Sequence, residues 1–428
     1  MAYRFVHAAD IHLDSPLKSL ALRDPALAEL IGNATRRAFV GIVDLCLDEG
    51  VDALMLGGDL YDGDQTSMKT ARFLAGQLRR LDEAGIRTFV IRGNHDALSR
   101  ITRELTFPDS VKVFGGRAEA VAVEGAGFDV VVHGLSFREP QAAESLLPKF
   151  RSPTPGAVNI GIMHTSLGGS EGHDAYAPCT EAELEGAGFH YWALGHIHKR
   201  RVMQARGGAP AVVMPGMPQG RDINESGAKG VSLVTVGDDR GVTVEHRRTS
   251  VAQFERVAVD LDGVADWGGV ARAIDAALGL ARDAAPSEHL VARLRVTGTT
   301  PLAWRLRREI DLLKAEADER AAALGAVSIE KIEVASLAPG PADGAAPGLP
   351  GDPLHELRRL IDEDVLGSNG FRAEMEAVAE ELRAALPPEC RNMLGSDPAS
   401  FGATLDALVA EGADDVLARL GAGQDDAD

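Results

Sequence analysis

The sequence predicts an α/β protein: a layered sheet domain with helices outside it, then a smaller βαβαβ unit, then C-terminal helices. Three observations carry this expectation. Short apolar runs alternate with longer stretches of helical spacing through the first part of the chain. The alternation restarts on a smaller scale after Ser250. A stretch rich in Pro, Gly and Ala, APGPADGAAPGLPGDP, then sets off an acidic tail.

Taken in order, YRFVHAAD, ALMLGGD, TFVIRGNHD, VVVHGLSF, NIGIMHTS and YWALGHIH each read as a buried strand ending in a polar or glycine-rich turn. Ala28–Glu49 and Ser67–Ala84 carry apolar residues at helical spacing. AVVMPG, GVSLVTV and GVTVEHRR are further strands. FERVAVDLDG, Trp267–Ala281, HLVARLRVTG, Pro301–Leu324 and SIEKIEVASL then spell strand, helix, strand, helix, strand. This divides the chain into residues 1–249, a second α/β domain over 250–337, a flexible linker over 338–353 and a helical region over 354–428. In the last region FRAEMEAVAEELRAAL places Phe371, Met375, Val378, Leu382 and Leu386 on one stripe of an otherwise acidic helix.

Composition narrows the class. A hydrophobic share of 45% with 25% charged residues is that of a globular chain. Cys46, Cys179 and Cys390 stand far apart in no metal-binding or disulfide spacing, which fits a reducing, cytoplasmic setting. No apolar run approaches the roughly 20 residues that cross a bilayer, and the N-terminus reaches charge too early for a signal peptide. The net charge of −20 argues against a broad basic surface that coats nucleic acid. From Gly351 onward, however, 18 acidic and 6 basic residues account for −12 of it. The acidity therefore says little about a site in the first half.

The chemistry concentrates at five strand ends: Asp10-Ile-His12, Gly58-Asp59-Leu-Tyr-Asp62, Gly93-Asn94-His95-Asp96, Met163-His164 and Gly195-His196-Ile-His198. In an extended segment, residues two apart project to the same side, so Asp10/His12 and His196/His198 each read as paired donors. One such pair is weak, since a core histidine beside a surface histidine looks the same. Five in order are strong, because distant residues converge at the carboxyl ends of strands in an α/β sheet.

The series DIH, GDLYD, GNHD, MH and GHIH resembles the calcineurin-like metallophosphoesterase superfamily. HTSLGGS…GHDAYAPC and PGMPQGRDINESGAKG narrow the likeness to the DNA-repair exonuclease branch that contains SbcD, and within it to YhaO-like proteins. The likeness spans roughly residues 3–250 and is looser beyond. It implies a four-layer metallophosphoesterase β-sandwich flanked by helices, with the βαβαβ unit as a capping domain. It also implies a dimetal site in which Asp10, His12 and His198 hold one ion, Asn94, His164 and His196 the other, and Asp59 bridges. Bare chemistry favours the same division, since a carboxylate has two oxygens and an imidazole serves one cation. Nitrogen and oxygen donors without sulfur suit manganese, iron or zinc better than an all-oxygen magnesium cage. The related nucleases point to two Mn2+ ions, with Fe2+, Zn2+ or Mg2+ as alternatives.

From the same resemblance, His95 is the general acid for the leaving alkoxide and Asp62 the carboxylate that orients it, although some relatives carry histidine at that position. Asp96 pins its loop. Arg221 and His173 are candidate substrate contacts, with Lys199, Arg200 and Arg201 as a charge run that meets phosphate or solvent. His7 and His133 read as core histidines, and His190 as neutral. The resulting expectation is a manganese-dependent DNA phosphodiesterase, a 3′-to-5′ exonuclease with endonuclease activity, partnered by a coiled-coil SbcC-like ATPase that the C-terminal helices engage. A homodimer is compatible with this. The alternatives are a phosphodiesterase for a small molecule, against which the second domain counts, and a non-catalytic DNA-end scaffold, against which the complete ligand series counts.

Overall fold

The computed structural model describes residues 2–15, 25–62, 67–97, 107–123, 127–139, 142–168, 176–205, 207–336, 353–386, 394–395 and 397–420. The linker expected over 338–353 therefore falls almost wholly outside the described residues, as does His173. The chain divides into two compact units, Met1–Glu255 with Asp283–Val291, and Arg256–Arg282 with Ala292–Asp428.

The first unit begins with β1 (Tyr3–Ala8), α1 (Pro25–Glu49), β2 (Ala53–Leu56), α2 (Met68–Glu83), β3 (Arg87–Val90) and β4 (Val111–Val113). Then come β5 (Glu119–Val123), β6 (Val130–Gly134), β7 (Val158–His164), α3 (Glu181–Gly186) and β8 (Tyr191–Gly195). The unit continues with β9 (Arg201–Met203), β10 (Ala211–Met214), β11 (Gly230–Val236) and β12 (Val242–Arg248). They form two six-stranded sheets, ordered β12-β11-β1-β2-β3-β4 and β5-β6-β7-β8-β10-β9. Parallel pairing runs through β1, β2, β3 and β4 in one sheet and through β6, β7, β8 and β10 in the other.

Side-chain alternation builds the layers. Tyr3, Phe5, Met55 and Phe89 from the first sheet meet Val130, Ile160, Ile162 and Tyr191 from the second in one buried core. Val6, Leu54 and Leu56, on the opposite face, pack on Phe39, Ile42, Leu74 and Leu78 of α1 and α2. Trp192, Leu194 and Met163 cover the outer face of the second sheet with Leu184, Phe189 and Leu146. Strands buried on both faces read as continuous apolar runs, which is why the sequence displays them. Burial on this scale is the main driving force of the unit, at about 25 cal/mol per Å² of apolar surface.

The second unit contains most of a three-stranded sheet, β13 (Ala252–Asp260), β14 (His289–Thr297) and β15 (Val327–Val334), in that order. With it go α4 (Trp267–Ala284), α5 (Ala303–Arg308) and α6 (Ile310–Leu324). The helix expected over 301–324 is broken at Glu309, whose φ of −104° and ψ of 41° leave the helical region. The tail adds α7 (Pro353–Leu360), α8 (Asn369–Ala385) and α9 (Pro398–Leu420).

The tail helices are not equivalent. α9 packs on α5, buries Leu405, Leu417 and Ala418, and ties in through Arg307–Asp414 at 2.8 Å. α8 buries no residue fully. Phe371 and Met375 line a small cavity with Leu405 and Val409 of α9, whereas Val378 and Leu382 stand 60% and 55% exposed. The single apolar stripe read from the sequence is therefore split between the neighbouring helix and solvent. Among the described residues no helix is long and apolar enough to cross a membrane.

Candidate metal centre

Each ligand candidate lies at or just past a strand end. Asp10 and His12 follow β1, Asp59 and Asp62 follow β2, and Asn94 and His95 follow β3. His164 is the last residue of β7, and His196 and His198 follow β8. The donors thus come from neighbouring strands of both sheets. Their convergence differs from the expected extended alternation. Asp10, His12, Asp59 and His196 have φ of 54°, 47°, 52° and 103°, so the chain coils rather than extends. Non-glycine residues held there cost of order 1–3 kcal/mol each and persist only where the surroundings fix them. Here backbone bonds do so: Asp10 N–H donates to the Gly58 carbonyl at 3.1 Å and His12 N–H to that of Asp59 at 3.0 Å. Glycine is needed at position 93, where a Cβ would run into the Asp59 carboxylate and the His164 ring.

Two donor groups result. Asp10, His12 and His198 form one and Asp59, His164 and His196 the other, and in each the donor atoms lie within 4.8 Å of one another. Asn94 joins the second group, its Oδ1 3.0 Å from His164 Nε2. Asp59 Oδ2 lies 3.4 Å from the same nitrogen, while its Oδ1 accepts from the His95 backbone N–H at 3.0 Å. Asp10, His12, Asp59 and His164 are almost completely buried, and His196 and His198 only partly.

A layer of acceptors behind the ring sets the imidazoles. Asp62 Oδ1 accepts from His12 Nδ1 at 2.7 Å, Glu225 Oε1 from His198 Nδ1 at 2.9 Å, and the Gly57 carbonyl from His164 Nδ1 at 2.9 Å. With the protons committed to Nδ1, the Nε2 lone pairs of His12 and His198 face each other at 3.2 Å. Two acceptors that close require a cation or a proton between them. This donor chemistry fits a divalent ion. Burial alone would lower His164, but the Asp59 carboxylate pushes it up to about 9, so a metal competes there with a proton. Burial opposes ionisation of Glu225, yet the bonds from His198 and Arg221 bring it down to about 2.

Asp62 has a different principal partner from the expected one. Its short bond goes to His12, and the same Oδ1 lies 3.7 Å from His95 Nδ1. The physical reason is position, since His12 is fixed in the interior while the His95 side chain is 47% exposed. Asp96 pins its loop: it accepts from Gly93 N–H at 2.6 Å and Leu60 N–H at 3.0 Å, and burial with the nearby Asp59 charge raises it to about 7.

Arg221 is committed within the protein. It makes a 2.7 Å bond from Nη2 to Glu225 Oε1 and a 3.4 Å bond from Nη1 to Ser15. It acts on His198 through Glu225. Arg200 donates to Ser232 at 2.8 Å and Arg201 pairs with Glu181, so these two of the charge run have protein partners. His7 is a core histidine, bonded to Tyr191 Oη at 2.9 Å and the Leu194 carbonyl at 3.1 Å, and burial holds it down to about 3. His133 bonds Asn159 at 2.8 Å, and His190 receives the Asn159 N–H at 3.1 Å. Sequence reasoning missed Glu225, a carboxylate in a polar turn that only the folded chain brings to His198.

Comparison with known proteins points to the same chemistry. Residues 3–200 match the calcineurin-like phosphoesterase family, and residues 254–336 the middle domain of metallophosphoesterase YhaO. The chain is 39% identical over 265 residues to the uncharacterized metallophosphoesterase YhaO of Bacillus subtilis, which is 60% of this chain and 63% of that protein. It is 25% identical over 280 residues to the DNA double-strand break repair protein Mre11 of Methanopyrus kandleri, 60% of this chain and 57% of that one. A dimetal phosphatase from Danio rerio superposes with a TM-score of 0.39 at 12% identity, over 58% of this chain and 96% of that one. The matches thus span about three fifths of the curated relatives' length. Residues 3–200 thus form a calcineurin-like phosphoesterase domain, followed in sequence by a YhaO-type middle domain over residues 254–336.

Proposed function

We propose that the chain is a DNA phosphodiesterase, a 3′-to-5′ exonuclease with endonuclease activity that works with manganese and with a coiled-coil ATPase. The observation that carries this reading is the pair of donor groups, with the Asp59 carboxylate beside a half-exposed His95. Asp10, His12, His198, Asp59, Asn94, His164 and His196 would hold two divalent cations there, which when bound would supply Lewis acidity and lower the pKa of a water. The side chains do the rest. His95 is held by its backbone bond to Asp59 and packs its ring across that of His12 at 5.2 Å. It retains solvent access and hands a proton to the departing alkoxide. Asp62, 3.7 Å from its Nδ1, orients the ring so that Nε2 is the donating nitrogen. Glu225, clamped by Arg221, keeps His198 in its tautomer.

The likeness to Mre11 supports DNA as the substrate, and the exposed Val378 and Leu382 of α8 support a helical partner. The test is incubation of the purified chain with end-labelled single- and double-stranded DNA, with and without manganese. Stepwise shortening from the 3′ end that needs manganese is expected. DNA left whole while a small phosphodiester is cleaved would contradict the assignment of substrate.

A further inference from the structure

A cavity of about 730 Å³ opens at the end of β6, the strand next to β7 in its sheet. Phe137, three residues past β6, lines it and sets its ring edge-on against the metal-centre imidazole of His164, with centroids 5.6 Å apart. The cavity and the candidate centre are therefore neighbours along one sheet edge, the edge where α/β sheets bind ligands. Its floor is apolar, from Leu135, Phe137 and Leu146, all almost fully buried.

The rim is charged. Arg117, Arg138 and Lys149 line it and make no ion pair among the described residues. Arg138 is held in place, because its Nε donates to the Gly116 carbonyl at 2.8 Å and its side chain lies where a Cβ at Gly116 would be. A guanidinium fixed through Nε keeps both terminal nitrogens for a phosphate. Glu139 and Glu144 share the rim. They disfavour a bare anion, but a carboxylate accepts hydrogen bonds from the exocyclic amines of nucleobases. Cations for phosphate, carboxylates for base amines and an apolar floor for the ring together describe a nucleotide, and the volume lies in the usual range for small-ligand pockets.

We infer that this cavity is a nucleotide subsite, which holds the residue of a single strand adjacent to the phosphate at the metal centre. The inference rests on the nucleic-acid reading above. It is tested by steady-state kinetics of the full chain with manganese, on a short single-stranded oligonucleotide and on bis(p-nitrophenyl) phosphate, a diester with no base amine and no second phosphate for the charged rim to hold. Arg138→Gln/Lys149→Gln should raise KM for the oligonucleotide with kcat retained. The ratio of kcat/KM for the oligonucleotide to that for the small diester should fall about tenfold or more, and the slope of log KM against log salt concentration should fall by roughly 0.7 per phosphate-contacting cation removed. A ratio equal to wild type, whether both activities persist or both fall, overturns the subsite alone. A wild-type chain that cleaves the small diester and leaves the oligonucleotide whole overturns the nucleic-acid reading, and the subsite with it.

Discussion

His12 is where two networks meet. Its Nδ1 is bonded to Asp62, its Nε2 faces His198, and its ring lies across His95. This predicts separable phenotypes. His95→Ala removes the acid without touching a donor atom, so manganese should bind normally while kcat falls by about 10²–10⁴. Metal titration alongside turnover measures both, and full activity in that variant would remove the acid assignment. Asp62→Asn and Glu225→Gln each weaken the acceptor that sets one imidazole of the same donor group. Each should lower manganese affinity by about 10–100-fold, read by titration with electron paramagnetic resonance. Unchanged affinity in Asp62→Asn would show that Asp62 serves His95 alone. The residues of the two donor groups were legible because each follows an apolar run that announces a strand. Glu225 was not legible, because nothing local distinguishes it and its partner lies 27 residues earlier. The coiled backbone at Asp10 and His12 was also hidden, since left-handed φ at non-glycine residues leaves no mark in composition.

At the scale of elements, every strand read from the sequence is present, and three were missed: β4, β5 and β9. All three are sheet edges of three to five residues. An edge strand is only partly buried, so it lacks the apolar run that betrays a central one. The tail shows the complementary limit, because periodicity finds an apolar stripe and cannot say what covers it. Here α9 is covered by α5 and α8 is half uncovered. Leu417→Ala should therefore destabilise the second unit by about 2–5 kcal/mol, as a large-to-small change in a core does. Val378→Glu and Leu382→Glu should stay within about 0.5 kcal/mol, as surface changes do. Urea unfolding of the three variants compares them. Equal losses would mean that α8 is packed as α9 is. Removal of everything from Gly351 should likewise lower stability, since it strips Leu417 and the Arg307–Asp414 pair.

For the molecule as a whole, the larger part of the excess acidity resides in the tail, while the histidine-rich centre is in the first unit. Folding and metal loading are linked there. The donors lie on loops from both sheets, so a cation that binds only the folded arrangement stabilises it by mass action. A chelator should lower the unfolding temperature of the wild type more than that of Asp59→Ala. Asp59 is proposed to join two metal sites into one hydrolytic centre, and manganese stoichiometry measured on wild type and Asp59→Ala tests this most directly. Two ions per wild-type chain are expected, matching the two donor groups, with loss of metal and of phosphodiester cleavage together in the variant. One ion or none in the wild type, or an Asp59→Ala chain that keeps both metal and cleavage, would contradict it.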